Sequence, residues 1–174
     1  ISQFRYAKVG QIIAAMKKLG FVSVVEAAMG ADMVAWKEAG ELAEKGFLTS
    51  SCCPAFVEYA KTQFPGPREH ISENLSPTAE IARYIKKSDP GCKVVFVGPC
   101  IAKKAEAQKE RVREFVDCVL TFEELQALLD SRDFDISNLP EDLLDNASYY
   151  GRIFARSGGL TDAVTEAIQE RGLD

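Results

Sequence analysis

Three thiols, a lysine and two carboxylates are spaced so that they could hold metal and move protons. Thr49-Ser50-Ser51-Cys52-Cys53-Pro54 places two adjacent thiols ahead of a helix start. Gly98-Pro99-Cys100-Ile101-Ala102-Lys103-Lys104 places a third just after an apolar, strand-like run. A thiol at a helix N-terminus meets the positive end of the dipole and free N–H groups, which favour the thiolate, the form that ligates iron. Cysteine also packs well as a small core hydrophobe. Two such strand-to-helix junctions in one chain tilt the balance toward function. Lys103 lies one turn after Cys100, and Glu106 one turn beyond it, so the three share a helix face. A lysine there can stabilise an anionic metal ligand by charge and hydrogen bond. The competing reading is a solvated face on which Lys103, Lys104, Lys109 and Arg111 alternate with Glu106 and Glu110. Glu38 and Glu41, also one turn apart, can raise one another's pKa when partly buried, which suits proton relay; most such pairs are simply solvated.

These groups need elements to position them. Apolar spacing predicts helices over Val9–Leu19, Gly30–Lys45, Cys53–Phe64, Ser76–Lys87, Cys100–Glu114, after Thr121, and after Ser157-Gly158-Gly159. Pro54 suits a first helical turn, and Ser76 and Thr121 are expected N-caps. Phe21–Val25, Phe47–Thr49, Lys93–Val97, Val116–Leu120 and Arg152–Arg156 read as strands. Residues 130–146 are acidic and turn-rich. This alternation predicts an α/β fold of mainly parallel sheet with helices on its faces. In such sheets ligands bind beyond the carboxyl ends of the strands, where both cysteine motifs fall.

Composition narrows the classes. The chain has 174 residues, 47% of them apolar and 27% charged, which suits a folded globular protein. A net charge of −5 argues against a general nucleic-acid binder. No run of ~18 apolar residues offers a membrane span, and no signal-peptide pattern opens the chain. The five cysteines lack CxxC spacing, and a bridge between neighbours Cys52 and Cys53 would be strained. With one histidine, a multi-His metal site is impossible within the chain. A protein of a reducing compartment fits better than a disulfide scaffold. Cys92 and Cys118 are expected in the core, and His70 on the surface or at a cap.

The motifs resemble a family. Thr49-Ser50-Ser51-Cys52-Cys53-Pro54-Ala55-Phe56 is similar to the first active-site signature of iron-only (FeFe) hydrogenases, TSCCP followed by a small and an aromatic residue. Gly98-Pro99-Cys100-Ile101-Ala102-Lys103-Lys104-Ala105-Glu106 resembles the second, PCxxKKxE. Pro65, Ser72, Ser76-Pro77 and the later strand–helix units extend the likeness along essentially the whole chain. The resemblance implies two lobes of mainly parallel sheet flanked by helices, residues 1–88 and 89–174, with the active-site cleft between them. It implies the reaction 2H⁺ + 2e⁻ ⇌ H₂ at an H-cluster, a 4Fe–4S cubane joined to a di-iron subsite carrying CO and CN ligands. Cys53 and Cys100 then match cubane ligands, and Lys103 the lysine that hydrogen-bonds a cyanide. Cys52 matches the proton-passing thiol, with Glu38, Ser72 and Glu41 as the rest of the relay toward solvent, with water assistance. The implied partners are ferredoxin or another electron carrier, H₂ and protons, and H-cluster maturation proteins, in the cytoplasm of an anaerobic bacterium.

Gly98 departs from the family's frequent Met, and Ala55-Phe56 from its Gly-Trp, which suggests a divergent subgroup. The third motif, with two further cysteines, is absent, whereas a cubane normally takes four thiolates. The chain is therefore expected to be a fragment truncated at its C-terminus, cluster-free and inactive alone. Hydrogenase-like Fe–S assembly and nuclear factors are the nearest alternative, and they usually lack the first cysteine of the pair. A sensory hydrogenase and a plain thiol-redox module are the others.

Overall fold

The computed structural model describes residues 3–64, 66–144 and 146–173. Helix α2 (Ala27–Lys45) is the spine of the first half. Its small residues let neighbours approach closely: Ala31, Val34, Ala35 and Ala39 are buried against Phe154, Ala163, Val164 and Ala167. The last three belong to α8 (Gly159–Arg171), and the short α7 (Tyr149–Ile153) closes the same core, so segments far apart in the chain contribute to it. On its other side α2 packs on α4 (Pro77–Ser88). Here Gly30 is required by distance, because a Cβ at that position would lie 2.1 Å from the Pro77 carbonyl oxygen. Helix α2 then ends at Gly46, whose φ of 72° closes the helix in the left-handed region. Gly30→Ala is therefore expected to push α2 and α4 apart and cost ~1–3 kcal/mol, measurable as a lower denaturant midpoint at unchanged slope. An unchanged midpoint would show that the two helices separate freely.

The second half holds a parallel pair, β1 (Val95–Gly98) and β2 (Cys118–Thr121), with Val95 opposite Cys118 and Gly98 opposite Thr121. Parallel pairing needs a crossover, which α5 (Ala102–Ala107) and the turns after it supply. Ala79 and Ala82 of α4 pack with Ala107, Val112, Val116 and Val119 to form the core of this unit. A third core joins α1 (Val9–Lys18) to α6 (Phe122–Asp130) through Ile12, Ala15, Leu125 and Leu129. Thr121 caps α6 as expected, and reciprocally: the Glu124 N–H donates to Thr121 Oγ1, while the Thr121 N–H donates to Glu124. Helix α3 (Pro54–Gln63) has Pro54 in its first turn, and Ser76 Oγ caps α4.

The α/β class with a parallel sheet is present, and several expected elements are corrected. Phe21–Val25 forms no strand; it has no partner strand, and Val22 is 96% exposed. Arg152–Arg156 is not extended, because Ser148 Oγ accepts from the Gly151 N–H and starts α7 there. The helix expected over Cys100–Glu114 is limited to six residues and continues as turns to Phe115. Phe47–Thr49 contributes only a single parallel bridge, Thr49 to Ile71. Pro65 lies outside the described residues. The expected core position of Cys118 is also corrected: it is exposed on β2, and Cys92 is half-buried.

Candidate active site

Both cysteine motifs leave short extended segments and enter helical turns. Cys53 is the N-cap of α3, its Sγ accepting from the Phe56 N–H at 3.4 Å. Cys100 follows the carboxyl end of β1, and both thiols are exposed. Lys103 joins the motifs: its Nζ donates to the Cys52 carbonyl oxygen at 3.2 Å and pairs with Glu106 at 2.7 Å. A second tie, Lys109 to Glu58 at 2.7 Å, holds α3 beside the segment that follows α5. The solvated-face reading of this lysine run therefore holds for Lys109 and fails for Lys103, whose side chain is only 12% exposed.

Beneath the thiols lies a line of proton-exchanging groups. Glu38 is 1% exposed although it is a carboxylate in the middle of α2. Burial pushes its pKa up and Glu41 adds to this, while hydrogen bonds from Ser50, the Ser51 backbone and Ser72 act against the rise. Ser50 Oγ donates to Glu38 Oε1 at 2.7 Å. Ser72 Oγ donates to Glu41 Oε2 at 2.7 Å, and the Asn74 side-chain amide donates to the same oxygen at 2.8 Å. At Glu41 burial opposes the charge, yet hydrogen bonds from Lys45, Ser72 and the Glu73 N–H outweigh it and hold the pKa below its ordinary value. Two carboxylates one turn apart are thus driven in opposite directions. Glu41 and Lys45 line an open cavity of about 540 Å³ with Trp36, Lys37 and Arg171, where the line meets solvent.

Cys52 is half-buried. Its thiol pKa is raised, chiefly by burial, with Glu38 and Cys53 adding to the rise while Ser50 and Lys103 act against it. Helix α3 begins after Cys53, so the first thiol of the pair lies outside the favourable dipole end, and burial works against its thiolate. The structure brings Cys52, Glu38, Ser72 and Glu41 together. Ser50 and Asn74 had not been singled out. A hydroxyl two residues ahead of a motif cysteine was the available signal for Ser50; Asn74 had none. His70 stacks edge-on against Phe47 beside Glu69, in keeping with its surface reading.

The family model for the C-terminal domain of the iron-only hydrogenase large subunit matches residues 2–173. This chain belongs to the iron-only hydrogenase large-subunit family. It is 29% identical to the periplasmic Fe hydrogenase large subunit of Nitratidesulfovibrio vulgaris over 92% of its own length and 44% of that protein. Iron hydrogenase 1 of Clostridium pasteurianum is 30% identical over 92% of the chain and 32% of that protein. The chain thus spans less than half the length of these hydrogenases. A cytosolic Fe-S cluster assembly factor, NAR1 of Kluyveromyces lactis, is 35% identical over 54% of the chain and 20% of the factor. A solved iron-only hydrogenase structure from Chlamydomonas reinhardtii superposes with a TM-score of 0.71 at 22% identity, over 81% of the chain and 40% of that structure, and so shares the fold. No helix among the described residues is long and apolar enough to cross a membrane.

The donor set bears on the cofactor that the hydrogenase family implies. Among the described residues no group of three or more His, Cys, Asp or Glu side chains is arranged to hold a metal ion. Cys53 and Cys100 are nevertheless exposed thiols on adjoining segments, and Lys103 sets a buried cation between their motifs. This fits one side of a thiolate-bound cubane, two donors of about four.

Proposed function

We propose that this chain is the proton-handling part of an iron-only hydrogenase that catalyses 2H⁺ + 2e⁻ ⇌ H₂. The observation that carries the reading is a half-buried Cys52 thiol, its pKa raised chiefly by burial, set above the pair Glu38 and Glu41, which is connected through Ser72 to a solvent-facing cavity. A proton path needs neighbouring groups that differ in proton affinity, and these carboxylates do. Bound, the H-cluster would supply the chemistry that joins protons and electrons. Cys53 and Cys100 would hold it by their thiolates, and Lys103 would place a positive charge at its edge, available to an anionic ligand such as cyanide. Cys52 would hold a proton at Sγ, Glu38 would exchange it, and Ser72 would pass it to Glu41 at the surface.

Two thiolates do not complete a cubane, so by this reading the chain alone stays free of cluster and inactive. The remaining ligands belong to a longer protein, which takes electrons from a ferredoxin-class carrier and its cluster from maturation proteins in a reducing, anoxic compartment. The similarity to NAR1 favours a second reading, a non-catalytic role in Fe–S assembly. That role has no use for a relay beneath Cys52. Anaerobic maturation of the chain and of the longer protein, followed by iron analysis and H₂ assay, separates the two. We expect iron and H₂ evolution from the longer protein only. A loaded longer protein without H₂ turnover would favour assembly, and a loaded, active chain would overturn the fragment reading.

A further inference from the structure

Asn74 lies two residues after Ser72 and spends both of its amide N–H groups on the outer end of the proton line. Its Nδ2 donates to Ser72 Oγ at 3.0 Å and to Glu41 Oε2 at 2.8 Å. Ser72 Oγ in turn donates to that same Glu41 oxygen at 2.7 Å, so the three groups close a ring. The Asn74 backbone is fastened too. Its N–H donates to Ser72 Oγ at 3.2 Å, and its carbonyl oxygen accepts from Ser51 Oγ at 2.6 Å. Beside an ionised Glu41 the amide has one workable orientation, because its reverse would set Oδ1 against a carboxylate oxygen.

We infer that Asn74 is a positioning residue for the outer proton step, fixing the Ser72 hydroxyl and the Glu41 carboxylate as one donor–acceptor pair. A serine oxygen has one donor and two acceptor positions. The Asn74 backbone N–H and amide fill both acceptors, which leaves Ser72 its proton, and that proton is aimed at Glu41. Glu41 is filled in the same way. Its Oε2 takes Ser72 and Asn74, while Oε1 takes Lys45 Nζ at 2.7 Å and the Glu73 N–H at 3.3 Å. The charged groups around it are Lys37, Glu38, Glu44 and Lys45 on α2, Glu73 beside Asn74, and Arg171 of α8. Their charges bear on how readily Glu41 ionises; the amide gives it a direction, by holding both oxygens of the step at once. Of the two bonds that Ser72 accepts, one comes from backbone and is fixed. The amide is the movable one. Rotation of the Asn74 side chain is therefore what opens an acceptor on Ser72 to a hydrogen bond from Glu41 once solvent has protonated it.

The inference rests on the hydrogen-producing reading of the site, and the test separates the two. N74L keeps the bulk of the side chain and removes its donors, whereas N74Q keeps an amide. In the cluster-free chain, the Glu41 carboxylate infrared band, identified by subtracting the spectrum of E41Q, is expected to shift in N74L and stay in place in N74Q. In the matured holoenzyme, N74L is expected to lower H₂ evolution by ~10-fold, the weight of one hydrogen bond to a charged group. The solvent deuterium isotope effect should rise with it, and the infrared bands of the CO and CN ligands should not move. N74Q is expected to recover turnover and isotope effect together. An unmoved Glu41 band or wild-type turnover in N74L, or an equal loss in N74L and N74Q, overturns the role of Asn74 and leaves the hydrogenase reading standing. Absence of H₂ from the matured wild type overturns that reading, and the positioning role with it.

Discussion

Replacing Cys52 with alanine in the matured holoenzyme is expected to lower H₂ evolution by ~10²–10⁴-fold while iron content stays at the wild-type level. The separation of the two readouts follows from the site. Cys53 and Cys100 are exposed thiols, whereas Cys52 is half-buried and packs against the α2–α8 core, where burial pushes its thiol pKa up. Alanine removes the proton carrier and leaves the backbone that positions the neighbouring ligand, including the carbonyl oxygen on which Lys103 is anchored. The cavity left by one sulfur atom is small beside that core. Loss of iron together with activity would make Cys52 a cluster ligand, and full activity without it would remove the thiol from the path. Cys53→Ser is the contrasting variant, for which cluster loading should fail.

A second large effect is expected at Lys103, and it is readable in the chain without any cluster. Lys103 and Glu106 are 12% and 9% exposed at their side chains and lie 2.7 Å apart. Substituting K103M leaves the Glu106 carboxylate buried without its partner, which costs ~3–5 kcal/mol. It also removes the hydrogen bond that ties the second motif to the Cys52 carbonyl oxygen. The double variant K103M with E106Q should recover much of the loss, since an uncharged buried pair carries no desolvated ion. Denaturant unfolding of the two single variants and the double closes the cycle. Additive losses would show that the two residues act independently and that the ion pair does not position the motif.

Much of this was legible in the order of residues because local rules govern it. Proline in the first turn of α3, serine and threonine caps at Ser76 and Thr121, and glycine at the end of α2 act within one turn of chain, so the helix boundaries they set could be read directly. The strands were less legible. Phe21–Val25 has the composition of a strand, but a strand exists only when a second one pairs with it, and pairing is a property of distant segments. The Cys100 segment has helical spacing throughout, yet its helix stops after six residues. Val112 and Val116 turn instead into the core beneath α4.

The division is sharpest at the site. The sequence by itself determined the motif cysteines, the lysine one turn after Cys100 and the two glutamates one turn apart, since each is a matter of residue type and short spacing. That was enough to point to metal and proton chemistry and to the hydrogenase family. Only the tertiary structure decided which way the proton affinities of Glu38, Glu41 and Cys52 are driven. Glu38 and Glu41 share a helix and a residue type. One is buried beside Ser50 and driven toward its neutral form, and the other reaches Lys45, Ser72 and Asn74, which favour its charged form. The same holds for the thiols and hydroxyls: burial pushes the Cys52 thiol up, and Ser50 faces Glu38 while its neighbours on either side face backbone. Proton affinity depends on dielectric surroundings and hydrogen-bond partners. Ser50, Ser72, Asn74 and Lys103 reach their partners here from segments 12 to 51 residues away in the chain.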